Sequence, residues 1–289
     1  MILITGATGT VGREVLGLLP AGTAVRVLAR RPDRVAPRRG EVVRGDYADP
    51  ASLRRALTGV RTALLITVRP GADDDARFLR AARAAGVERV VKLSAAAVLD
   101  PGADDALTAW QRSAEALLEG YGPQLRWTLL RPRSFMSNTL AWAPGVRAHG
   151  VVRTLYGASA NSCVDPRDVA ACAVRVLTRD GHAGRSYVLT GPRALSAREQ
   201  TACLGRLLGR RLHHEELGEQ EALAAWNRRH PPELAQALLN SARRQHAGAK
   251  AQVTDAVREL TGRPPRTYET WAHDHLHTFH TPAPPPEHT

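Results

Sequence analysis

The chain begins Met1-Ile2-Leu3-Ile4-Thr5-Gly6-Ala7-Thr8-Gly9-Thr10-Val11-Gly12, an apolar run that passes directly into glycines three residues apart. The apolar run predicts a buried strand, and the periodic apolar residues up to Pro20 predict a helix. Between them, Gly6 permits a sharp turn, Gly9 lets the backbone approach a pyrophosphate, and Gly12 lets the helix pack closely. A strand–turn–helix unit of this kind binds a dinucleotide; an ordinary Gly-rich turn is the alternative. The predicted cofactor contacts are Gly6, Thr8, Gly9, Thr10, Val11 and Gly12.

The end of the second predicted strand, at 24–29, indicates which dinucleotide is bound. An NAD site places a carboxylate here on the ribose 2′-hydroxyl, whereas an NADP site places a cation here for the 2′-phosphate. The chain has Arg30 and Arg31 at this point and no carboxylate. Because a guanidinium pairs with phosphate through two hydrogen bonds, we predict NADP(H), with Arg30 as the first phosphate ligand and Arg31 as the second.

The formal charge of +12 and the pI near 10.8 raise the question of a polyanionic partner. A nucleic-acid-binding protein concentrates its basic residues on one face or in one run. Here arginines are scattered through every segment, and Lys92 and Lys250 are the only lysines among 40 basic residues. An exposed Arg is therefore common at any position, and this bias is typical of a GC-rich genome. We predict no nucleic-acid partner.

The cysteines and the apolar segments indicate where the protein works. The three cysteines, Cys163, Cys172 and Cys203, form no C-x-x-C pair, which fits a reducing compartment better than a disulfide framework or a zinc site. No apolar stretch approaches the length of a membrane span, and the first strand begins at once, which leaves no room for a signal peptide. We expect a cytoplasmic protein without a membrane partner.

Strand-like and helix-like segments alternate through the first half of the chain, which predicts a parallel sheet covered by helices. The predicted fold class is α/β: a Rossmann-type doubly wound parallel sheet with a smaller, mostly helical C-terminal substrate lobe. Later predicted strands lie at 42–44, 62–68, 89–93, 126–131 and 187–190, with loops near 143–150 and 157–163. The predicted domains are 1–150 with 164–192 returning to it, the lobe 193–281, and a loose tail 282–289.

Short motifs along most of the chain, in this order, resemble the NmrA-like family of atypical short-chain dehydrogenases. That family includes NADPH-dependent quinone reductases and redox-sensing regulators. Besides the glycine turn, the motifs are Gly45-Asp46, Val90-Val91-Lys92-Leu93-Ser94, Leu130-Arg131-Pro132 with Phe135 and Asn138, Val164-Asp165-Pro166-Arg167-Asp168, Leu189-Thr190-Gly191-Pro192, Val253-Thr254 and Leu260-Thr261-Gly262-Arg263-Pro264-Pro265.

The resemblance implies positions for the rest of the cofactor. Asp46 and Tyr47 would flank the adenine, and Ile66 and Thr67 would lie along the nicotinamide side. Ser94, with the residue that follows it, would border the nicotinamide ribose. The chemistry would occur beyond the carboxyl ends of these strands, where open α/β sheets bind ligands.

One departure from ordinary short-chain dehydrogenases concerns the proton donor. Those enzymes use a Tyr four residues before a Lys, and no Tyr-x-x-x-Lys occurs in this chain. On the corresponding helix Gln111 stands where relatives often carry a His. Gln cannot supply a titrating proton near neutral pH, although it can orient a carbonyl by hydrogen bonding. Ser94 and Gln111 are therefore the candidate catalytic residues, and no general acid is identified.

Two functions fit this pattern. In the first, NADPH delivers hydride directly to an electrophilic acceptor such as a quinone or an activated enone, and water supplies the proton. In the second, the protein senses NADP(H) without turnover and acts through a protein partner. A non-redox isomerase or lyase is a third, weaker alternative.

The expected partner is a small aromatic or conjugated substrate, and a homodimer is left open. Aromatic and polar residues in and around the loosened segment after Pro132 are suitable to wall a flat substrate. The predicted substrate pocket comprises Trp110, Phe135, Asn138, Trp142 and Tyr156. Trp110 also fits a helix core, and Ser94 also fits a strand end bonded to nearby backbone.

Other chemically capable residues receive structural interpretations. His273, His275, His277 and His280 lack the carboxylate or cysteine partners of a metal site, so no metal is predicted. Cys163 has no neighbouring base, and Lys92 lies in a buried strand without its usual Tyr. Asp165 and Asp168 are explained by capping of a helix.

Overall fold

The computed structural model describes residues 1–35 and 40–280, so the predicted tail 282–289 lies outside the described residues. Within these ranges the strands are β1 Ile2–Ile4, β2 Val25–Ala29, β3 Glu41–Arg44, β4 Thr62–Leu65, β5 Arg89–Leu93, β6 Arg126–Pro132, β7 Val151–Leu155, β8 Arg185–Leu189 and β9 His213–Leu217. The α-helices are α1 Thr10–Leu18, α2 Pro50–Leu57, α3 Asp74–Ala84, α4 Ala106–Glu119, α5 Ala143–His149, α6 Pro166–Thr178, α7 Ala197–Leu207, α8 Glu219–Asn227, α9 Pro232–His246, α10 Ala256–Thr261 and α11 Tyr268–Asp274.

The main sheet has seven parallel strands in the order β3-β2-β1-β4-β5-β6-β8. The strand order reverses direction at β1, where Ile4 stands between Val27 on one side and Leu64 on the other. This is the doubly wound arrangement, in which ligands bind beyond the carboxyl ends of the strands. The predicted Rossmann-type α/β fold class is confirmed.

The sheet is stable because its central strands are apolar along their whole length. Every residue of β1 and β4 is buried, as parallel strands flanked by helices require. Phe78 of α3 and Leu118 of α4 pack in one cluster with Leu65 and Leu129 of the sheet. Asp49 caps α2 through its side chain, with Pro50 in the first turn.

The chain forms two compact units, and neither is continuous in sequence. Unit 1 comprises 1–133, 166–190 and 254–265, and unit 2 comprises 134–165, 191–253 and 266–289. This division differs from the predicted boundaries at 150 and 193. Two causes are visible: β7 pairs with β9 of unit 2, and α10 packs on α6 and β8 of unit 1.

Unit 2 contains secondary structure that the sequence did not reveal. The region 193–281, predicted to be mostly helical, also contains β9, which forms a parallel two-stranded sheet with β7. The predicted loop at 143–150 is wrong, because α5 occupies 143–149. Pro144 lies in the first turn of this helix, and Gly150 ends it with a φ of 65°. Trp271 and Phe279 are fully buried in the core of this unit.

Candidate active site

The glycine turn between β1 and α1 has the geometry of a phosphate cradle. Gly6 has a φ of 64°, and its carbonyl accepts a hydrogen bond from the Gly9 N–H at 2.9 Å. A Cβ at Gly12 would lie 2.3 Å from the Gly6 oxygen, so only glycine lets α1 approach this closely. Gly9 caps α1 without a side-chain bond, and the first turn carries no acidic residue. The positive end of the helix is therefore open to an anion.

Thr5 joins this turn to the end of β4. Its Oγ1 donates to the Leu64 carbonyl at 3.0 Å and accepts the Ile66 N–H at 2.8 Å. Ile66 then lies against the turn, since a Cβ at Gly6 would be 2.8 Å from the Ile66 Cβ. The structure thus places the predicted nicotinamide-side residue Ile66 beside the cradle, just beyond the end of β4.

The two residues predicted to flank the adenine follow β3. Tyr47 Oη donates to the Ile66 carbonyl at 3.0 Å, and burial raises the pKa of Tyr47, so this phenol remains a neutral donor. The Asp46 carboxylate accepts the Ala48 N–H at 2.9 Å and lies 3.6 Å from Arg69. Tyr47 is therefore hydrogen-bonded to Ile66 beside the turn, whereas the Asp46 carboxylate already accepts a hydrogen bond within its own loop.

The predicted phosphate ligands lie at the carboxyl end of β2. Arg30 and Arg31 are both exposed, and neither forms an ion pair with any residue in 1–35 or 40–280. Beside α1, Thr8 lines a cleft of about 700 Å³ together with Arg13 and Arg34. Arg13 and Arg34 were not predicted from the sequence. Arg13 directly follows the glycine motif, but nothing in the sequence distinguishes it from the many other exposed arginines.

A buried charged network lies at the ends of β4 and β5. Lys92 is fully buried, and its Nζ donates to Asp75 at 2.8 Å and to Thr67 Oγ1 at 3.3 Å. Thr67 also donates to both oxygens of Asp75 at 3.1 Å, and the Trp110 ring centroid lies 5.8 Å from Lys92 Nζ. Thr67, predicted to lie along the nicotinamide side, is therefore held in place by the Lys92–Asp75 ion pair.

Several buried polar atoms of unit 1 have no hydrogen-bond partner in the part of the chain that the structure describes. They include Ser94 Oγ after β5, Gln111 Oε1 in the helix that follows, and Arg133 Nε after β6. Arg89 Nε, at the start of β5, is another, but the other two nitrogens of that guanidinium are bonded to Val176, Arg179 and Asp180. Unsatisfied buried polar atoms are rare in proteins, and a bound ligand is one explanation. Ser94 and Gln111 were predicted site residues, whereas Arg133 was not. Its signal in the sequence was only its place after the Leu130-Arg131-Pro132 motif.

In unit 2, four predicted pocket residues line one cavity of about 960 Å³. Phe135, Asn138, Trp142 and Tyr156 come together there, along with the apolar faces of α8 and α9. Trp110 is not among its lining residues and belongs to unit 1, so the predicted group of five is not one wall. Tyr156 is fixed by a hydrogen bond to Glu219 and by stacking on His246, with ring centroids 4.3 Å apart.

The remaining candidates have structural partners. The acids Asp165 and Asp168 form ion pairs with Arg266 and Arg263, at 2.7 Å and 2.8 Å respectively. Burial raises the pKa of the Cys163 thiol to about 11, which disfavours the reactive thiolate. Throughout residues 1–35 and 40–280, no group of three or more His, Cys, Asp or Glu is arranged to hold a metal ion. None of the described helices combines the length and apolar character needed to span a bilayer.

The cradle fits a dinucleotide on structural grounds. Gly6 and Gly12 leave no room for a Cβ, and the start of α1 is open to an anion. Ser94 Oγ, just after β5, has no hydrogen-bond partner among the described residues. These features match the requirements of a pyrophosphate and an adjoining ribose.

Comparisons with known proteins agree with this geometry. Residues 6–180 match a family model described as NAD(P)H-binding. The chain is 53% identical over 281 residues to (4-alkanoyl-5-oxo-2,5-dihydrofuran-3-yl)methyl phosphate reductase of Streptomyces griseus, covering 96% of this chain and 99% of that protein. It is 33% identical over 289 residues to NAD(P)H azoreductase of Xenophilus azovorans, covering 96% and 99%.

A solved structure supports the same assignment. NADPH-dependent quinone oxidoreductase QOR2 of Escherichia coli, complexed with NADPH, matches with a TM-score of 0.84 and 29% identity, over 96% of this chain and 100% of that one. Several relatives are named reductases or oxidoreductases. The chain belongs to the NAD(P)H-binding family and is an oxidoreductase of the NmrA-like, atypical short-chain dehydrogenase type.

Proposed function

We propose that this reductase saturates the carbon–carbon double bond of a phosphorylated acyl-butenolide, the class of compound named in its relative from S. griseus. The observation that carries the proposal is a site with hydrogen-bond donors and an NADP(H) cradle but no Tyr-x-x-x-Lys acid. Such a site suits an acceptor that needs polarisation and no strong acid.

The chemistry of the acceptor accounts for the missing acid. In an acyl-butenolide the double bond is conjugated to both the lactone carbonyl and the alkanoyl carbonyl. Bound NADPH supplies the hydride. The negative charge left on the substrate is shared by two carbonyl oxygens, so water can protonate the resulting enolate. An alkoxide from an isolated ketone would need a positioned acid, which Gln111 cannot be.

Residues of unit 1 have distinct proposed roles in this reaction. Arg30, with Arg31 as the second candidate, would hold the 2′-phosphate, because an exposed guanidinium without an ion pair is available for it. The Lys92–Asp75 pair fixes Thr67 beside the nicotinamide. Ser94 through its hydroxyl, and Gln111 through its side-chain amide N–H, would donate hydrogen bonds to a substrate carbonyl.

The cavity of unit 2 supports an anionic substrate with an acyl chain. Its wall includes Trp142 and Trp226, which suit an apolar chain, together with four cationic residues and one acidic residue. The acid, Glu221, is engaged by the Gly218 N–H at 3.0 Å. Arg153 is paired with Glu215 at 2.6 Å, so the positive charge that favours a phosphate monoester over a neutral quinone comes chiefly from Arg228 and Arg229. The cationic lining residues are Arg153, Arg228, Arg229 and Lys250.

A substrate comparison tests this proposal. The purified protein is mixed with NADPH and one of three acceptors: the acyl-butenolide phosphate, its dephosphorylated form, or a benzoquinone. Oxidation of NADPH is followed by absorbance, and mass spectrometry identifies the reduced product. We expect the highest kcat/KM for the phosphate, with gain of two hydrogen atoms at the ring double bond.

Two results would reject the proposal. A higher kcat/KM for the quinone than for the butenolide phosphate would assign the protein to quinone reduction. Tight NADPH binding without turnover of any acceptor would favour the non-catalytic sensor, and co-purification of a regulatory protein would support that alternative.

A further inference from the structure

Arg133 is the first residue after β6, at the edge of the sheet where ligands bind. Its N–H donates to the Leu189 carbonyl at 2.9 Å, which continues the ladder between β6 and β8 by one residue. The side chain is partly buried, and its Nε is fully enclosed without a hydrogen-bond partner among the described residues. No hydrogen bond within the described part of unit 1 satisfies this enclosed nitrogen.

Arg131, two residues earlier on β6, is an arginine with a structural role. Arg131 donates to Glu115 of α4 at 2.7 Å and 3.0 Å, and to Ser186 of β8 at 3.0 Å. Arg133 has no such ion pair within residues 1–35 and 40–280, and burial lowers its pKa while Asp100 partly offsets that effect. Enclosing a cation without an anion costs free energy, which a bound anion recovers.

The position of Arg133 in the sheet indicates that its side chain faces the reacting part of a bound ligand. Residues two apart on an extended strand share a face, so Arg133 projects to the same side as Arg131, the side of α4. Gln111, which also has an unpartnered polar atom, lies on that helix. Ser94 follows the adjacent strand β5, which pairs with β6. Ser94 and Arg133 thus follow two neighbouring strands of the sheet, and Gln111 lies on the helix that Arg131 contacts.

We propose that Arg133 is a catalytic residue that donates hydrogen bonds to the carbonyl oxygen on which negative charge develops during reduction. This inference rests on the proposed reduction of an activated double bond. Hydride forms the new bond at the β-carbon, and the π electrons move onto the α-carbon and its carbonyl oxygen. Arg133 keeps its own protons and stabilises that enolate; a water molecule then protonates the α-carbon. The guanidinium thus replaces the Tyr hydroxyl as electrostatic support without acting as an acid.

The first test compares substitutions at Arg133 with a matched arginine. Arg133→Ala is expected to lower kcat about 100-fold, the usual effect of removing one donor to a developing oxyanion. Free guanidinium ion should restore part of this loss, and methylammonium should not, because only guanidinium reproduces the planar pair of donors. Arg89→Ala is the control. Arg89 is of similar burial but begins β5 at the opposite edge, bonded to Val176, Arg179 and Asp180.

A second readout does not depend on turnover. 3-Acetyltetronic acid is an acylated butenolide that is an anion at neutral pH, and it imitates the enolate. α-Acetyl-γ-butyrolactone has a similar shape and is neutral. Calorimetry on the NADP⁺-loaded protein should show tighter binding of the anion by the wild type, and loss of that preference in Arg133→Ala but not in Arg89→Ala.

Three outcomes would overturn the proposal. They are unchanged kcat and anion preference in Arg133→Ala, equal rescue by methylammonium, or a rise in KM confined to the phosphorylated substrate, which would make Arg133 a phosphate ligand. If the wild type reduces no acceptor, the proposed function fails. The calorimetric comparison still decides whether Arg133 binds the enolate mimic.

Discussion

Selected arginines at the two edges of the main sheet differ in their partners. At the amino-terminal edge, Arg26 donates to Glu41 and to the carbonyls of Ala56 and Thr58, and Arg61 pairs with Glu88 at 2.8 Å. At the carboxyl-terminal edge, Arg30 and Arg133 have no ion pair in the described ranges 1–35 and 40–280. In a chain this rich in arginine, the residue type alone does not indicate a role. An arginine that has an ion-pair partner is structural, and one without such a partner is available to a ligand.

The largest effect at the carboxyl-terminal edge is expected from Gly12→Ala. The new methyl group would meet the Gly6 carbonyl, and overpacking of this kind costs about 1–3 kcal/mol and would open the turn. Calorimetry should show no saturable NADPH binding. The control is Gly17→Ala in the same helix, where no atom lies within 4 Å and binding should be unchanged. Equal NADPH affinity in the two variants would contradict the cradle.

The next effect concerns the buried ion pair. Lys92→Met leaves Asp75 buried without its cation, which should destabilise the protein by about 3–5 kcal/mol in urea unfolding. The double variant Lys92→Met with Asp75→Leu should regain most of that stability. It should not regain NADPH affinity, because Thr67 loses its anchor. Arg61→Ala, which breaks an exposed pair at the other edge, should lower the free energy of unfolding far less, because solvent screens an exposed pair.

If the double variant binds NADPH as tightly as the wild type, the network supports the fold alone. In that case Thr67 has no special place beside the nicotinamide.

The two ends of β2 allow a direct test of coenzyme choice. Arg30→Asp should weaken NADPH about 10–100-fold, since hydrogen bonds to charged groups contribute about 1.5–3 kcal/mol, and should leave NADH nearly unchanged. Fluorescence titration measures both affinities. Arg26→Ala, at the start of the same strand, should lower stability and leave the NADPH-to-NADH ratio as it was. Equal weakening of both coenzymes by Arg30→Asp would remove the phosphate assignment.

The smallest effect is expected from Gln111→Ala. Loss of one neutral hydrogen bond should lower kcat about 2–10-fold, because no proton passes through this side chain. Gln124→Ala, an exposed change near the opposite edge, serves as the control. A loss by orders of magnitude with unchanged folding would show that Gln111 does more than orient a carbonyl.

The sheet and the glycine turn could be predicted because their causes are local. Buried parallel strands need continuous apolar residues, and close packing of α1 on the turn requires glycine at Gly12. The strand β9 could not be predicted, since His213 to Glu216 are polar and its only partner, β7, is distant in sequence. Proline and glycine signals at Pro144 and Gly150 indicated a loop but belong to the ends of a helix.

The site shows the same limit. Asp75 and Lys92 lie 17 residues apart, so their pairing depends on the register of β4 and β5 and leaves no pattern in the sequence. The sequence does not distinguish Arg133 from the ion-paired Arg131, because Arg131 lies in the short motif Leu130-Arg131-Pro132 and Arg133 directly follows it. Only the contacts of the folded chain separate the two.

The interleaving of the two units has a consequence for synthesis on the ribosome. Strand β8 and helix α10 belong to unit 1 but are translated after long stretches of unit 2. The nascent nucleotide-binding sheet therefore lacks its last strand until Leu189 has emerged, and the unit is incomplete until Pro265 has followed. No single cut would release either unit intact. A chimera that exchanges unit 2 would need a junction at every point where the chain passes from one unit to the other.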